Sequence, residues 1–430
     1  MNVAGRPNLI KLALILFAAV PLMSGCQGSS GEPVVTSGRD GRSPGPEETW
    51  TPISEPAQPE FVGRVALRSP LVEEDGNRLT LLPNRDPVPL TAEWKIPPAP
   101  LVKGGWGDLT ETAREEIESV TFGFRMKCVS PLRPSVKGRF AEDPCEGTAV
   151  WFPPDEDGLY MVWTVCTQAF RSHTAAGRPR KAVAASEGVL FQAPASKEEL
   201  SNGRLDGVLL GEFPDESDVG AHRLVRDHPE IYGTPEWFYR VDEKNRDYRV
   251  SEHFRLSDFD LTYDYWRPDY GVPYEFIALH PKLLEKLEGL LTRVRERYDQ
   301  NARFEILAGY RSPWYNEEIK RADPEFSQTA RYSMHLYGRA ADFIVDADGD
   351  GLQDDLNNDG RIDLEDIKAV REIADEIDRE SEPGANSLLG GFGMYPRHDI
   401  KMREKQTPYA HVDVRGYLGD DGAPIRWQMD

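Results

Sequence analysis

His335 and Asp342 flank Gly338 in the segment Ser333-Met334-His335-Leu336-Tyr337-Gly338-Arg339-Ala340-Ala341-Asp342. A third such residue, His411, stands far downstream in Tyr409-Ala410-His411-Val412-Asp413-Val414-Arg415. Two neutral imidazoles and a carboxylate suit zinc, and three protein ligands leave a fourth position open, as in catalytic rather than structural sites. A fold that joins these groups must bring two distant segments side by side. Gly338 marks a turn that folds His335 and Asp342 inward instead of continuing a helix. Ala340 to Val345 reads as a short buried strand carrying Asp342, and Ala410 to Val414 as another carrying His411. His411 and Asp413, two residues apart, share one face of that strand. Phe304 to Ala308 is strand-like and delivers Arg311 at its end.

Two further runs, Ser251-Glu252-His253-Phe254-Arg255-Leu256-Ser257-Asp258-Phe259 and Gly309-Tyr310-Arg311-Ser312-Pro313-Trp314-Tyr315-Asn316, stand upstream of this pair. Together these motifs resemble the zinc D-Ala-D-Ala peptidases, within the group that unites lysostaphin, D-Ala-D-Ala metallopeptidases and the hedgehog signalling domain. The resemblance runs from about Ser251 to Trp427. It implies a C-terminal α+β domain over 251–430 with a mainly antiparallel sheet and zinc on His335, Asp342 and His411. It also implies peptidoglycan stem peptides as substrate, cut as a carboxypeptidase or as a crosslink endopeptidase.

Arg311 has a planar fork suited to a carboxylate or peptide carbonyl, and its motif resembles the family's substrate-binding arginine; a structural salt bridge is the other reading. Tyr310 and Ser333 are assigned to substrate binding beside it, with Ser333 also placed to cap the turn. A positioned carboxylate must take a proton in the reaction, and Asp413 is the choice for that base. Some relatives place the acid three residues before the last histidine, where this chain has Pro408. The alternative for Asp413 is a partner that fixes His411. His398, after a Gly/Pro turn, is the rival third ligand.

A second metal signal follows closely. Asp355-Leu356-Asn357-Asn358-Asp359-Gly360-Arg361-Ile362-Asp363-Leu364-Glu365-Asp366 has the alternating oxygens and turn glycine of an EF-hand calcium loop, with Asp366 where glutamate is usual. Such a shortened last carboxylate resembles dockerin-type loops. Asp346, Asp348, Asp350 and Asp354 with Gly351 repeat the spacing, so the insert 346–366 is expected to hold a paired calcium site that stiffens the zinc-site strand. Leu364, Ile367, Val370, Ile373 and Ile377 then give an amphipathic helix, as do Leu284, Leu287, Leu291 and Val294 between Pro281 and Tyr298.

The formal net charge of −22 excludes ordinary nucleic-acid binding, which needs basic patches. Residues 1–25 read as an export signal, with Arg6 and Lys11 around an apolar run too short to span a bilayer. Leu22-Met23-Ser24-Gly25-Cys26 resembles a lipobox, so Cys26 is the expected lipidation site and membrane attachment. Gln27 after it favours outer-membrane sorting, hence a periplasmic face. Residues 26–59, rich in Gly, Ser and Pro, form a disordered tether.

Residues 60–195 carry recurrent short strand-like runs and are expected to form an all-β sandwich. Asp157-Gly158-Leu159-Tyr160 resembles the tyrosine corner of immunoglobulin-like domains. Its partner is unknown, and spacing or binding is its expected role. Residues 196–250 are a connector without an assigned role. Cys128, Cys145 and Cys166 allow one internal bridge in an exported protein, with three possible pairings. Two other readings of the whole stay open: a non-catalytic wall-binding lipoprotein, and a metallopeptidase acting on proteins.

Overall fold

Strands dominate the computed structural model, and in two of the N-terminal ones burial follows the period-2 patterning of the chain. In Val88–Lys95, Val88, Leu90 and Ala92 are buried while Pro89 and Thr91 are exposed; in Gly158–His173, Tyr160, Val162, Thr164, Cys166, Gln168 and Phe170 are buried in alternation after the fully buried start Gly158 and Leu159. The structure describes residues 64–71, 78–95, 117–130, 136, 139–143, 146–173, 179–214, 223–260, 272–322, 331–400 and 405–429. The expected export signal, the lipidation site Cys26, the tether and Cys145 lie outside these residues.

The N-terminal part consists of two sheets. One has the order Arg64–Arg68, Val88–Lys95, Thr148–Phe152, Arg139–Asp143. The other runs Leu79–Leu81, Val189–Ala193, Gly158–His173, Ile117–Ser130, with Pro179–Ala185 also paired to Gly158–His173. Val88, Leu90 and Trp151 from the first sheet share a core with Phe124, Tyr160, Val162 and Phe191 from the second. The Trp151 ring lies 5.0 Å from Phe191 and 6.2 Å from Tyr160. Tyr160 donates its hydroxyl to the Glu156 carbonyl at 3.0 Å, a bond to the main chain four residues upstream. Cys166 is a buried free thiol whose cross-strand neighbour is Phe122, six residues from Cys128, so those two cysteines do not bridge.

The expected connector 196–250 contributes a strand of its own. Its strand Trp237–Asp242 pairs with Ala195–Ser196 on one side and Tyr274–Ile277 on the other. Arg240 on that strand is only 2% exposed and binds Asp157 at 2.6 Å and Asp206 at 2.7 Å, with Tyr274 stacked beneath its guanidinium. One continuous core runs from Leu79 and Leu159 through Phe238 and Tyr239 to Phe343, Ile373 and Val412.

The C-terminal sheet has five strands in the order Phe304–Ala308, Ala340–Val345, Lys405–Asp413, Phe392–Ile400, Arg426–Gln428. Three of its four pairings are antiparallel; only Phe392–Ile400 with Arg426–Gln428 is parallel. Every residue of Ala340–Val345 is buried. The helix Leu364–Arg379 packs on Phe392–Ile400, on Lys405–Asp413 and on the helix Pro281–Arg297.

The ends of both helices are written in the chain. Pro281 opens the first at the position where a missing amide is harmless, and His280 caps it by accepting from Lys282 N at 3.2 Å. Asp363 and Asp366 form a reciprocal capping box at the start of the second. Leu283, Leu287, Leu290 and Val294 of one helix and Ile367, Val370 and Ile373 of the other are all fully buried. Among the described residues no helix is long and apolar enough to cross a membrane.

Candidate metal centre

Asp342 and His411 face each other directly across the antiparallel ladder. His335 arrives on a short 3-10 turn, Met334–Tyr337, capped by the Ser333 side chain, which accepts from His335 N at 3.4 Å. Gly338 ends the turn at φ 63°, and a Cβ there would meet the Ala278 carbonyl at 2.3 Å. Glycine is required on both counts.

The three side chains converge. His335 Nε2 lies 3.2 Å from Asp342 Oδ1 and 3.2 Å from His411 Nδ1, and His411 Nδ1 lies 2.7 Å from Asp342 Oδ1. Ligands at 2.0–2.1 Å from a tetrahedral zinc are separated by about 3.3 Å, so these edges match one face of such a site with one edge compressed.

The remaining ring nitrogens fix the tautomers. His335 Nδ1–H donates to the Gly309 carbonyl at 2.6 Å, and His411 Nε2–H to Asp413 Oδ2 at 3.3 Å. Each imidazole therefore turns its lone pair toward the shared point, where the Asp342 carboxylate also points. Three acceptors without a donor between them repel unless a cation or a proton sits among them. The chemistry of the donor set thus fits a divalent metal, and the outward bonds follow the usual pattern by which carbonyls and carboxylates orient metal-binding histidines.

Burial and charge agree with that reading. His335, Asp342 and His411 are 2%, 6% and 7% exposed. Burial, with the charge of Arg311 nearby, lowers the His335 pKa to about 4. Burial alone would raise Asp342, but His335 and Arg311 outweigh it and hold the carboxyl well below its ordinary value. For His411 burial acts downward, and hydrogen bonds to Asp342 and Asp413 reverse it to a net rise.

Arg311 binds Asp342 Oδ2 at 2.5 Å and keeps 19% of its side chain exposed. It ties one carboxylate oxygen back, leaving Oδ1 alone to face the shared point. No protein-family model matches the chain, and no curated protein is similar enough to count as a relative.

Asp413 does not stand where a base must. Its carboxylate lies beyond the Nε2 edge of His411, on the far side of the ring from the shared point, and is fully buried. Arg415 grips it through Nε at 2.9 Å and again through its terminal nitrogen, and Gly391 N donates to it at 2.7 Å. Burial raises this group, yet Arg415 outweighs that and holds it well below the ordinary carboxylate range. The base assignment is therefore corrected: Asp413 fixes His411.

Tyr310 is likewise misassigned, since it is 3% exposed, its hydroxyl is buried without a hydrogen-bond partner among the described residues, and it belongs to the core. His398 is set aside by register, because Gly393 pairs with His411 whereas His398 pairs with Thr407.

An aromatic wall beside the centre escaped sequence reasoning. The Trp427 ring is 5.1 Å from His411, and its Nε1 donates to the Tyr395 hydroxyl at 2.9 Å. Tyr395 stacks on Tyr409 at 4.6 Å and 10°. A Cβ at Gly393 would meet the indole at 2.4 Å and one at Gly391 at 2.9 Å, so the Gly390-Gly391-Phe392-Gly393 run is what makes room for Trp427.

In the acidic insert, Asp346, Asp348 and Asp354 bring carboxylate oxygens within 4.8 Å of one another. Asp350 instead accepts from Leu352 N. In the second loop Asp355 accepts from Asp359 N and Gly360 N, Asn357 from Asp359 N, Asp359 from Arg361 N and Asp363 from Glu365 N. Asp366 is buried and receives Leu356 N at 2.9 Å and Asp363 N at 2.9 Å. Gly351 and Gly360 both take positive φ, at 76° and 83°, as the sharp turns of such loops require.

Proposed function

We propose that this protein is a zinc-dependent peptidase of the D-Ala-D-Ala metallopeptidase type, lipid-anchored through Cys26 in the cell envelope and acting on peptidoglycan stem peptides. The observation that carries this reading is the convergence of two imidazole lone pairs and one carboxylate oxygen on a single point, each held from behind. Bound zinc would polarise the scissile carbonyl and lower the pKa of a water to about 7.

The protein's own groups have separable tasks. Gly309 and Asp413 hold the two imidazoles in the tautomers that present lone pairs. Arg311 stands beside them with exposed surface, placed to bind a substrate carboxylate or carbonyl. Tyr395 and Trp427 line the approach to His411. Ser333 shapes the His335 turn as its cap. The two-sheet N-terminal part is read as an immunoglobulin-like module for spacing or binding, and 346–366 as a calcium insert centred on Asp346, Asp348 and Asp354.

Purified protein incubated with zinc and muropeptides, with products followed by mass spectrometry, tests the proposal. Wild type should release D-Ala or split crosslinked dimers, and His335→Ala should release nothing. Zinc bound without hydrolysis would leave a wall-binding lipoprotein. Equal cleavage by His335→Ala would remove the enzyme reading.

A further inference from the structure

Behind His411 lies a second layer of charge that substrate cannot reach. Lys286, on the helix Pro281–Arg297, and Asp378, on the helix Leu364–Arg379, have side chains with no exposure, and their charged atoms are 2.7 Å apart. The same ammonium donates to the main-chain carbonyl of Asp413 at 3.1 Å. Asp378 also accepts from Gly390 N at 3.1 Å and from Arg426 at 2.5 Å. The next amide, Gly391 N, holds the Asp413 carboxylate. Asp413 is thus gripped at its carbonyl by Lys286 and at its carboxylate by Gly391 and Arg415, and that carboxylate receives His411.

The approach is close. A Cβ at Gly390 would fall 1.7 Å from the Asp413 carbonyl oxygen. A buried ion pair adds little stability over apolar residues of the same volume, because desolvation offsets the attraction. What an apolar pair lacks is direction. Lys286 aims donors at Asp378 and at Asp413 together and so fixes the height of the strand end that carries the His411 partner.

We propose that Lys286, paired with Asp378, is a positioning residue for the metal centre, orienting the His411 imidazole through Asp413. This rests on the metal-centre reading above. Lys286→Met keeps a long unbranched chain in the space, while Arg426 still pairs with Asp378 and Gly390 N still donates to it. In the full chain this variant should melt below the wild type, because buried Asp378 and the Asp413 carbonyl each lose a donor, but it should still fold. Its zinc affinity, measured by chelator competition, should fall about 10–100-fold, the size seen for groups that orient metal-binding histidines. The visible bands of the cobalt-substituted protein should shift with it.

If the Met variant does not fold, Asp378→Asn, which retains shape and an acceptor, should show the same two changes to a smaller degree. Wild-type affinity and unchanged cobalt bands in a folded variant would overturn the inference alone. Wild type that takes up no zinc would overturn the metal-centre reading and this inference with it.

Discussion

The two metal-type regions are built in opposite ways. The His335, Asp342 and His411 cluster joins a 3-10 turn and two strands, is almost fully buried, and draws its support from Gly309, Asp413 and, behind them, two helices. The insert 346–366 is a single stretch of chain whose Asp348, Asp350 and Asp359 are exposed. Its carboxylates accept amides from within the insert itself, as when Asp346 takes Gly349 N at 2.6 Å and Gly351 N at 2.9 Å and Asp366 takes Leu356 N at 2.9 Å. A local loop can hold its shape on its own amides, whereas a cluster of distant groups is only as well made as the core around it. Substitutions behind the first region should therefore act on metal affinity and chemistry, and cation removal from the second should act on stability.

The largest effect that would break this contrast is at Asp413. Asp413→Asn leaves packing intact but weakens the anchor on His411 Nε2. Zinc affinity should fall about 10–100-fold, and excess zinc should restore most peptide hydrolysis. If the variant keeps full zinc and still loses turnover, Asp413 takes the proton after all, and the geometry of His411 has been misread.

How far the chain announced each region follows from the same contrast. His335, Asp342 and His411 were legible because their residue types are rare together and Gly338 breaks the helix between the first two. The helix faces around Leu287 and Ile373 were legible from their three- and four-residue steps. Spacing alone set Asp413 on the same strand face as His411, which is right, but it could not tell which imidazole nitrogen it meets. Lys286 lay among the charged residues between apolar positions of an amphipathic helix, and only tertiary contact with Asp378 makes it part of the core. Trp427 reaches His411 through a parallel pairing with Gly393 that no local pattern foretells. Tyr310 sat in a motif with Arg311, yet successive residues there turn opposite ways, one to the core and one to the site.

A middle-sized effect sharpens the role of the acidic insert. Gln353, 1% exposed, accepts from Val345 N at 3.0 Å through its side-chain oxygen and donates its main-chain N–H to the Thr407 hydroxyl at 2.8 Å, so the insert is tied to both strands that carry ligands. Calcium at 100 times its dissociation constant should add about 2.7 kcal/mol to stability. Chelation should then lower the melting temperature by several degrees, and Asp346→Asn should abolish that response while leaving zinc content unchanged. A melt indifferent to calcium in the wild type would end the calcium assignment.

The smallest effect separates the regions by pH. Burial, with Arg339 and Lys282 nearby, lowers His280 to about 3, and burial lowers His335 to about 4. Both stay neutral in the folded, metal-free chain, whereas unfolded imidazoles titrate near 6.5. The unfolded state then binds more protons below pH 6.5, so this contribution to stability is complete above that value and is lost as pH falls toward 4. In the insert the sign reverses: burial raises Asp354 and Asp366, so the folded chain takes up protons more readily there and gains stability as pH falls through their raised values. Urea midpoints at pH 7, 6 and 5 with both metals chelated should fall with acid, and His280→Asn, which keeps a helix cap, should flatten that slope. Adding calcium at each pH should steepen it, since a cation favours ionised carboxylates and removes the opposing gain; an unchanged slope would mean that the insert's carboxylates do not share in binding.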